Sequence, residues 1–303
     1  MPKLKVYGAL VLVQVFFGVH YFVAKLILAM MPPRAWAAVR ICGAAALLLG
    51  WDLLFLRRHP RRAADLARLA LYALFGVVIN QVLFVEGLSR TTPSHSAIIN
   101  SLIPVATLAI AIVLGKERAT PGRWASIAIS FASVLVLLGV ERFRLEDQLV
   151  VGDLLTLGNG VSFSIFLVLS RDFLKRTDPL AATAWLLGFG ALGILTVGAG
   201  PLGRVDFGAL PPRFWALAAY AIVFATVLAY SLNYYALGHT DSSLVALFIY
   251  LQPPIATALS VFFLGEKLTP RFGVAAAGIF LGIYLAVRER ARPGLAARSG
   301  VPE

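Results

Sequence analysis

Residues 104–117, PVATLAIAIVLGKE, recur in the second half of the chain as residues 254–267, PIATALSVFFLGEK. Proline, alanine, threonine, leucine and glycine occupy the same positions in the two copies, so the spacing from proline to the Leu-Gly pair is identical. The likeness extends upstream at nearly the same offset, where Leu88, Thr91 and Ser94 match Leu237, Thr240 and Ser243. Two apolar helices use few residue types, so some identities between them arise by chance. Five identities at fixed spacing nevertheless predict an internal duplication.

The composition is that of a membrane protein. Of the 303 residues, 59% are hydrophobic and 14% are charged, and the mean hydropathy is +0.84. Soluble domains carry about a quarter charged residues, which excludes a soluble globular enzyme. The net charge is +12, and the basic residues cluster between apolar runs without interleaved aromatic residues. We therefore expect no nucleic-acid partner. The single cysteine, Cys42, excludes an intramolecular disulfide.

Apolar runs separated by short polar breaks predict an all-α membrane protein, because lipid offers no partner to exposed backbone groups and the runs lack the alternation of a β-barrel. The ten predicted spans are 6–29, 35–56, 67–87, 94–115, 122–140, 152–171, 180–199, 213–236, 243–264 and 271–288.

Lysine and arginine predict the orientation of the chain. With the N-terminus inside, the inner segments hold 17 of these residues and the outer segments hold 8. The positive-inside rule then predicts an integral protein of the inner (plasma) membrane with both termini in the cytoplasm. The first run follows Lys3 and Lys5 without a convincing cleavage site, so we interpret it as a retained helix rather than a signal peptide.

The duplication predicts the architecture. We expect a first repeat over residues 1–146, a second over 147–290 and a cytoplasmic tail over 291–303. Because five spans per copy is an odd number, the two copies must insert with opposite topology. Inverted repeats are a construction typical of secondary transporters, which hold substrate near the bilayer midplane between the repeats.

On these residues the chain resembles the drug/metabolite transporter superfamily, and specifically its EamA-type carriers. Phe17-Gly18 and Lys25 in the first span and Ala38-Val-Arg40 in the second add to the resemblance. The resemblance implies a ten-helix carrier, and bacterial members resemble exporters of amino acids and related metabolites. Lys116 precedes Glu117 in the first copy, which departs from the usual Gly-Glu order.

Polar residues near the middle of the spans are the candidate substrate contacts, since uncompensated polar groups in hydrocarbon cost several kcal/mol. The candidates are Gln14, His20, Asn80, Gln81, Asn100, Asn159, Tyr230, Asn233, Tyr250 and Gln252. Pro104 and Pro254 are predicted to kink their helices and free the carbonyls of Asn100 and Tyr250. The alternative is that both prolines only bend helices for packing.

Three charged residues are candidates for a gate. Lys25 and Arg40 are the basic residues inside spans, both toward the predicted outer ends. Either one of them attracts a substrate carboxylate at the outer gate, or they snorkel to the interface or form a structural pairing. Glu86 lies at the same mouth. No acid lies at mid-membrane, so the sequence offers no obvious residue for a carboxylate proton relay. His20 is either a group that titrates near neutral pH or a packing residue.

The sequence favours a secondary transporter of small metabolites that works by alternating access. Within that class, it favours an exporter of amino acids. Neither a metal nor a cofactor is expected, and the partners are a small-molecule substrate and lipid, with the chain a monomer or homodimer. A multidrug antiporter of lipophilic cations is the alternative, although the first span lacks an acid. An integral-membrane transferase would need clustered acids or a His/Asp pair, and no D-x-x-D or H-E-x-x-H motif occurs.

Overall fold

The structure is a computed structural model that describes residues 2–56, 63–117, 120–138, 147–174, 176–239, 245 and 248–290. Several predictions fall outside these residues: the tail 291–303, Thr240 and Ser243 of the upstream match, and many of the counted arginines, among them Arg57, Arg58, Arg61 and Arg62. Throughout the described part, the chain forms helices and no strand.

Thirteen α-helices lie in the described ranges. They are α1 (Pro2–Leu28), α2 (Pro33–Trp51), α3 (Ala63–Ala73), α4 (Asn80–Arg90), α5 (Pro93–Asn100), α6 (Ile103–Val113), α7 (Pro121–Leu138), α8 (Gln148–Leu174), α9 (Pro179–Leu202), α10 (Pro212–Ile222), α11 (Ala229–His239), α12 (Gln252–Leu264) and α13 (Pro270–Arg290). A π-helical segment, Leu74–Ile79, joins α3 to α4, and another, Val223–Leu228, joins α10 to α11. A third, Asp52–Leu56, extends α2.

Seven helical stretches in the described part are long and apolar enough to cross a membrane. They are Lys5–Leu28, Pro33–Leu54, Ala63–Arg90, Pro93–Val113, Gln148–Leu174, Pro179–Leu202 and Pro212–His239. Each coincides with a predicted span. The other three predicted spans coincide with shorter apolar helices, Pro121–Leu137, Ile249–Leu264 and Pro270–Leu285.

Proline sets the start of many helices. It occupies the first turn of α2, α5, α9, α10 and α12, where its missing N–H has no carbonyl to bind and its fixed φ suits the helix. Side chains satisfy some of the free N–H groups that remain. The Asp178 carboxylate accepts from the backbone N–H of Leu180 and Ala181, each at 3.1 Å, and the Thr92 hydroxyl accepts from that of His95 at 3.2 Å.

The glycines of the duplicated segment end their helices in the same way. Gly115 has φ 68° and Gly265 has φ 66°, a left-handed conformation that glycine adopts without the steric penalty of a Cβ. Beyond each glycine, a backbone N–H returns to the last turn: Lys116 donates to the carbonyl of Ala111 at 2.8 Å, and Glu266 donates to that of Ser260 at 3.3 Å. The two copies therefore share the left-handed glycine, while the N–H groups that follow it return to carbonyls four residues before Gly115 and five before Gly265.

Helices from the two halves of the chain pack against each other. The largest interfaces join α2 to α9, α7 to α13 and α4 to α8, and α1 contacts both α11 and α12. Small residues bring several of these helices close, as membrane helices commonly require. Gly18 of α1 faces Ile255 of α12, and Gly87 of α4 faces Thr156 of α8. Large apolar side chains such as Leu192, Phe262 and Val274 remain exposed on the outside of the bundle.

Candidate functional site: a central polar cavity

A cavity of about 90 Å³ lies between α1, α2, α4, α5, α8, α11 and α12. Nine of the ten residues predicted as substrate contacts line it: Gln14, His20, Asn80, Gln81, Asn100, Asn159, Tyr230, Asn233 and Gln252. The wall is completed by Phe17, Tyr21, Arg40, Phe84, Ile103, Phe163, Leu167, Val245 and Ile249. The cavity therefore combines amides and hydroxyls with apolar and aromatic surface, the usual composition of small-molecule sites.

One hydrogen-bonded network centres on Gln81. Its amide Nε2 donates to the Tyr230 hydroxyl and to Asn80 Oδ1, each at 2.8 Å, and its Oε1 accepts from the Arg40 guanidinium. Asn80 and Asn159 then bond reciprocally, each amide donating to the other's backbone carbonyl, at 3.3 and 2.8 Å. This network connects α2, α4, α8 and α11.

A second network crosses the cavity through Tyr21. Asn100 Nδ2 donates to the Tyr21 hydroxyl at 2.9 Å, and that hydroxyl donates to Gln252 Oε1 at 3.2 Å. Gln252 Nε2 in turn donates to Gln14 Oε1 at 2.5 Å. Tyr21 was not among the predicted contacts. It lies seven residues after Gln14 and hence on the same helical face, which is a signal that the sequence contains.

The π-helical segments precede cavity residues in both halves of the chain. The segment Leu74–Ile79 leads into Asn80 and Gln81, and Val223–Leu228 leads into Ala229 and Tyr230. A π-turn holds one extra residue per hydrogen-bonded ring and so rotates the helix that follows. The two segments therefore contribute to the direction in which Asn80, Gln81 and Tyr230 point.

The predicted proline kinks are helix breaks instead. Ser101 and Leu102 form a turn between α5 and α6, and Pro104 lies in the first turn of α6. Pro254 likewise lies in the first turn of α12, after the 3₁₀ segment Ile249–Leu251. A new helix can begin at these positions because its first turn needs no N–H donor, whereas a proline inside a continuous helix leaves a carbonyl unpaired.

Tyr250 does not line the cavity, contrary to the prediction. Its 3₁₀ segment has three residues per turn, so Ile249 and Gln252 lie on one face and Tyr250 points about 120° away. The Tyr250 ring packs against Phe280 instead, with ring centroids 6.3 Å apart.

Arg40 lines the cavity and bonds to neighbouring side chains, so of the two structural alternatives the contacts agree with a pairing and not with snorkelling. It is 2% exposed, and its guanidinium donates to His20 Nε2 and Gln81 Oε1. Because it follows Pro33 by seven residues, it lies about 10 Å along the helix axis from the start of α2. That depth takes the guanidinium out of reach of the helix end.

Lys25 and Glu86 occupy the end of the bundle where α1 and α4 terminate. Lys25 Nζ donates to the carbonyls of Leu88 at 2.8 Å, Ser89 at 3.3 Å and Thr91 at 2.6 Å. It thus neutralises the negative end of the α4 dipole. Glu86 pairs with Arg34 at 2.8 Å and with Arg90 at 2.6 Å. Neither side chain lines the central cavity.

The same end holds a buried polar cluster that the sequence analysis missed, formed by Thr91, His95 and Asp153. His95 Nδ1 lies 2.9 Å from Asp153 Oδ2, and the Thr91 hydroxyl donates to the other carboxylate oxygen. Asp153 is 1% exposed. Nearby, Ser94 Oγ donates to Glu266 Oε2 at 2.7 Å, which connects α5 to the residue after Gly265. These bonds fasten α4 and α5 to α8 and to the end of α12.

Within the described ranges, no group of three His, Cys, Asp or Glu side chains could hold a metal ion. The cavity therefore has polar neutral groups and one arginine as its binding chemistry.

Comparison with known proteins identifies the family of the chain. The sequence profile of the EamA-like transporter family matches the chain twice, over residues 4–139 and 150–288. The chain belongs to the EamA-like transporter family. The resemblance inferred from the duplicated segment is thereby confirmed, and with it the drug/metabolite transporter superfamily.

Individual relatives are transporters by name. The uncharacterized transporter YyaM of Bacillus subtilis is 26% identical and is aligned over 94% of each chain. An uncharacterized transporter of Archaeoglobus fulgidus is 28% identical over 93% of this chain and 96% of its own. The uncharacterized inner membrane transporter YedA of Escherichia coli K12 is 26% identical over 88% and 85%. This EamA-family chain is accordingly a helical membrane transporter and not an enzyme.

A crystal structure of another protein, 21% identical in sequence, superposes on the chain with a TM-score of 0.64. The match covers 96% of this chain and 98% of the other. At that identity the likeness concerns the fold alone.

Proposed function

We propose that the chain is a secondary transporter that exports small metabolites, most directly amino acids, across the inner membrane by alternating access. The observation that carries this proposal is the convergence of nine predicted mid-span polar residues, from six helices, on one cavity. Amides, tyrosine hydroxyls and aromatic rings suit the polar ends and the side chain of an amino acid.

The packing of the helices supports an inverted repeat. If the predicted spans are numbered one to ten, α2 and α9 pair spans two and seven, and α7 and α13 pair spans five and ten. Two further contacts are exchanged between the halves, α1 with α11 (spans one and eight) and α4 with α8 (spans three and six). Such an exchange is expected when a two-fold axis relates two five-span units. We retain residues 1–146 and 147–290 as the two repeats, with both termini cytoplasmic.

The size of the cavity supports a moving carrier. A volume of about 90 Å³ has room for about three water molecules, whereas sites for drug-sized molecules measure about 300–1,000 Å³. A metabolite therefore needs the walls to separate. The breaks at Ser101–Leu102 and before Gln252 lie in these walls and provide points at which the two repeats can rock.

Counterflow in proteoliposomes tests the proposal. Vesicles loaded with unlabelled amino acids, sugars or cationic dyes are offered the labelled compound, with and without a pH gradient. We expect one class of amino acids to exchange irrespective of the gradient. Movement of dyes alone, and only with a proton gradient, would instead establish the alternative of a lipophilic-cation antiporter.

Matched variants connect the exchange to the cavity. Asn100→Leu and Tyr230→Phe remove polar groups of the two networks, so we expect a lower initial rate at unchanged folded yield. Tyr220→Phe is the control, because the Tyr220 hydroxyl donates to the carbonyl of Phe16 at 3.0 Å and lies outside the cavity. Equal rates in all three variants would remove the cavity from the transport path.

A further inference from the structure

Arg40 carries a buried positive charge without an acidic partner among the described residues. Its guanidinium donates to two neutral acceptors, His20 Nε2 and Gln81 Oε1, and its Nε has no partner there. None of the described residues that line the cavity is an aspartate or glutamate, and none of the described ion pairs includes Arg40. The described wall therefore presents one positive charge and no negative one.

The hydrogen-bonding pattern identifies His20 as a second donor. An imidazole nitrogen that accepts from a guanidinium carries no proton, so His20 is neutral and its proton resides on Nδ1. That Nδ1 is buried and has no partner among the described residues. Arg40 Nε and His20 Nδ1 thus are two donors on neighbouring side chains without an acceptor among the described residues, and a buried donor without an acceptor is costly.

A carboxylate supplies both the negative charge that Arg40 lacks and the oxygen acceptors that the two donors lack. Arginine remains charged at physiological pH, and removing an unpaired charge from water is costly unless an anion accompanies it. The guanidinium also presents parallel N–H groups in a planar fork that fits a carboxylate with two bonds. A cation in the same place would meet like-charge repulsion in a medium of low dielectric constant, where Coulomb forces are strong.

We propose that Arg40, together with His20, binds the carboxylate of the substrate, so that the cavity selects organic carboxylates over amines and amides of the same shape. This inference rests on the proposed function and specifies its substrate class. The neutral amides around Gln14 and Asn233 accommodate the rest of the molecule.

Competition within matched compounds tests the selection. Phenylalanine, 3-phenylpropionate, phenylalaninamide and phenethylamine share one ring and differ in the carboxylate, and leucine with its amide and its amine forms an aliphatic set. Each is tested as a competitor of the labelled amino acid that exchanges in counterflow. We expect the carboxylates to inhibit at least tenfold more potently than the amides and amines. Equal inhibition by the amines would overturn the inference while leaving transport established, whereas exchange of no compound would overturn the proposed function itself.

Variants of α2 assign the selection to one side chain. Arg40→Gln is expected to reduce the carboxylate-to-amide preference at least tenfold, and Arg40→Lys to retain part of it because the charge remains without the fork. Arg34→Gln removes an arginine from the same helix outside the cavity, where Arg34 pairs with Glu86, and should keep the wild-type preference. An unchanged preference in Arg40→Gln would contradict the assignment. If that variant does not fold, Arg40→Lys and the wild-type competition series still decide it.

Discussion

The close approach of α1 to α12 provides the sharpest prediction about packing. A Cβ placed on Gly18 would lie 2.8 Å from the Ile255 Cβ and 2.9 Å from its Cγ2, whereas ordinary contacts begin at 3.4 Å. Gly18→Ala therefore forces the two helices apart by about 0.6 Å or shifts a β-branched side chain. Overpacking of this kind costs about 1–3 kcal/mol. Alanine also favours helix over glycine by about 0.5–1 kcal/mol, which offsets part of that cost.

Gly8→Ala provides the matched control for this measurement. Gly8 lies on the same helix, and a Cβ there would meet nothing within 4 Å, so only the gain in helix propensity remains. In mixed detergent micelles, the free energy of unfolding of Gly18→Ala should fall below that of Gly8→Ala by about 1–3 kcal/mol. If Gly18→Ala is as stable as Gly8→Ala, the close contact between α1 and α12 is refuted.

Three further variants test other parts of the molecule. Asn159→Ala removes the bond that its amide donates to the Asn80 carbonyl and leaves the bond from Asn80 to the backbone of residue 159, so the unfolding free energy should drop by about 0.6–1.7 kcal/mol, the range of interhelical hydrogen bonds in membranes; no change would mean that the removed bond is not formed. Lys25→Met removes the cation at the end of α4. The last turn of that helix should lose about 0.3–1 kcal/mol of local stability, so its backbone amides should exchange hydrogen faster, and unchanged exchange would contradict the capping role. Replacement of both Pro253 and Pro254 by alanine restores two N–H donors and lets α12 extend backwards, so the exchange rate in counterflow should fall; wild-type kinetics would leave the break a packing feature.

The cavity could be predicted from the sequence because hydrocarbon penalises polar groups so strongly. A buried amide in mid-span must face another polar group or a cavity, and nine of the ten residues chosen by this single rule line one cavity. It fails at Tyr250, which lies only two residues before Gln252: a turn of 100° per residue in an α-helix, or of 120° in a 3₁₀ segment, cannot place both side chains on one face.

Other features depend on tertiary contacts that a single sequence does not reveal. His95 and Asp153 are 58 residues apart in the chain, and each lies near a helix end, so nothing local indicates that they meet. The place of Arg40 in the central cavity was not predicted, for another reason. Its position near the start of α2 suggested the interface, but the helix carries it about 10 Å inward, where His20 and Gln81 accept its hydrogen bonds.

Accessibility of the cavity from the two faces of the membrane tests alternating access most directly. Cys42 is the single cysteine, so Cys42→Ala combined with Asn233→Cys places one thiol in the cavity, at a side chain without a hydrogen bond to any described residue. A membrane-impermeant maleimide is added to right-side-out and to inside-out vesicles, with Ala209→Cys, exposed in the connection between α9 and α10, as the control. We expect the cavity thiol to react from both faces and to react more slowly when an exchanged amino acid is present, and the control to be indifferent to that amino acid. Reaction from one face only, with or without the amino acid, would contradict the alternating-access carrier.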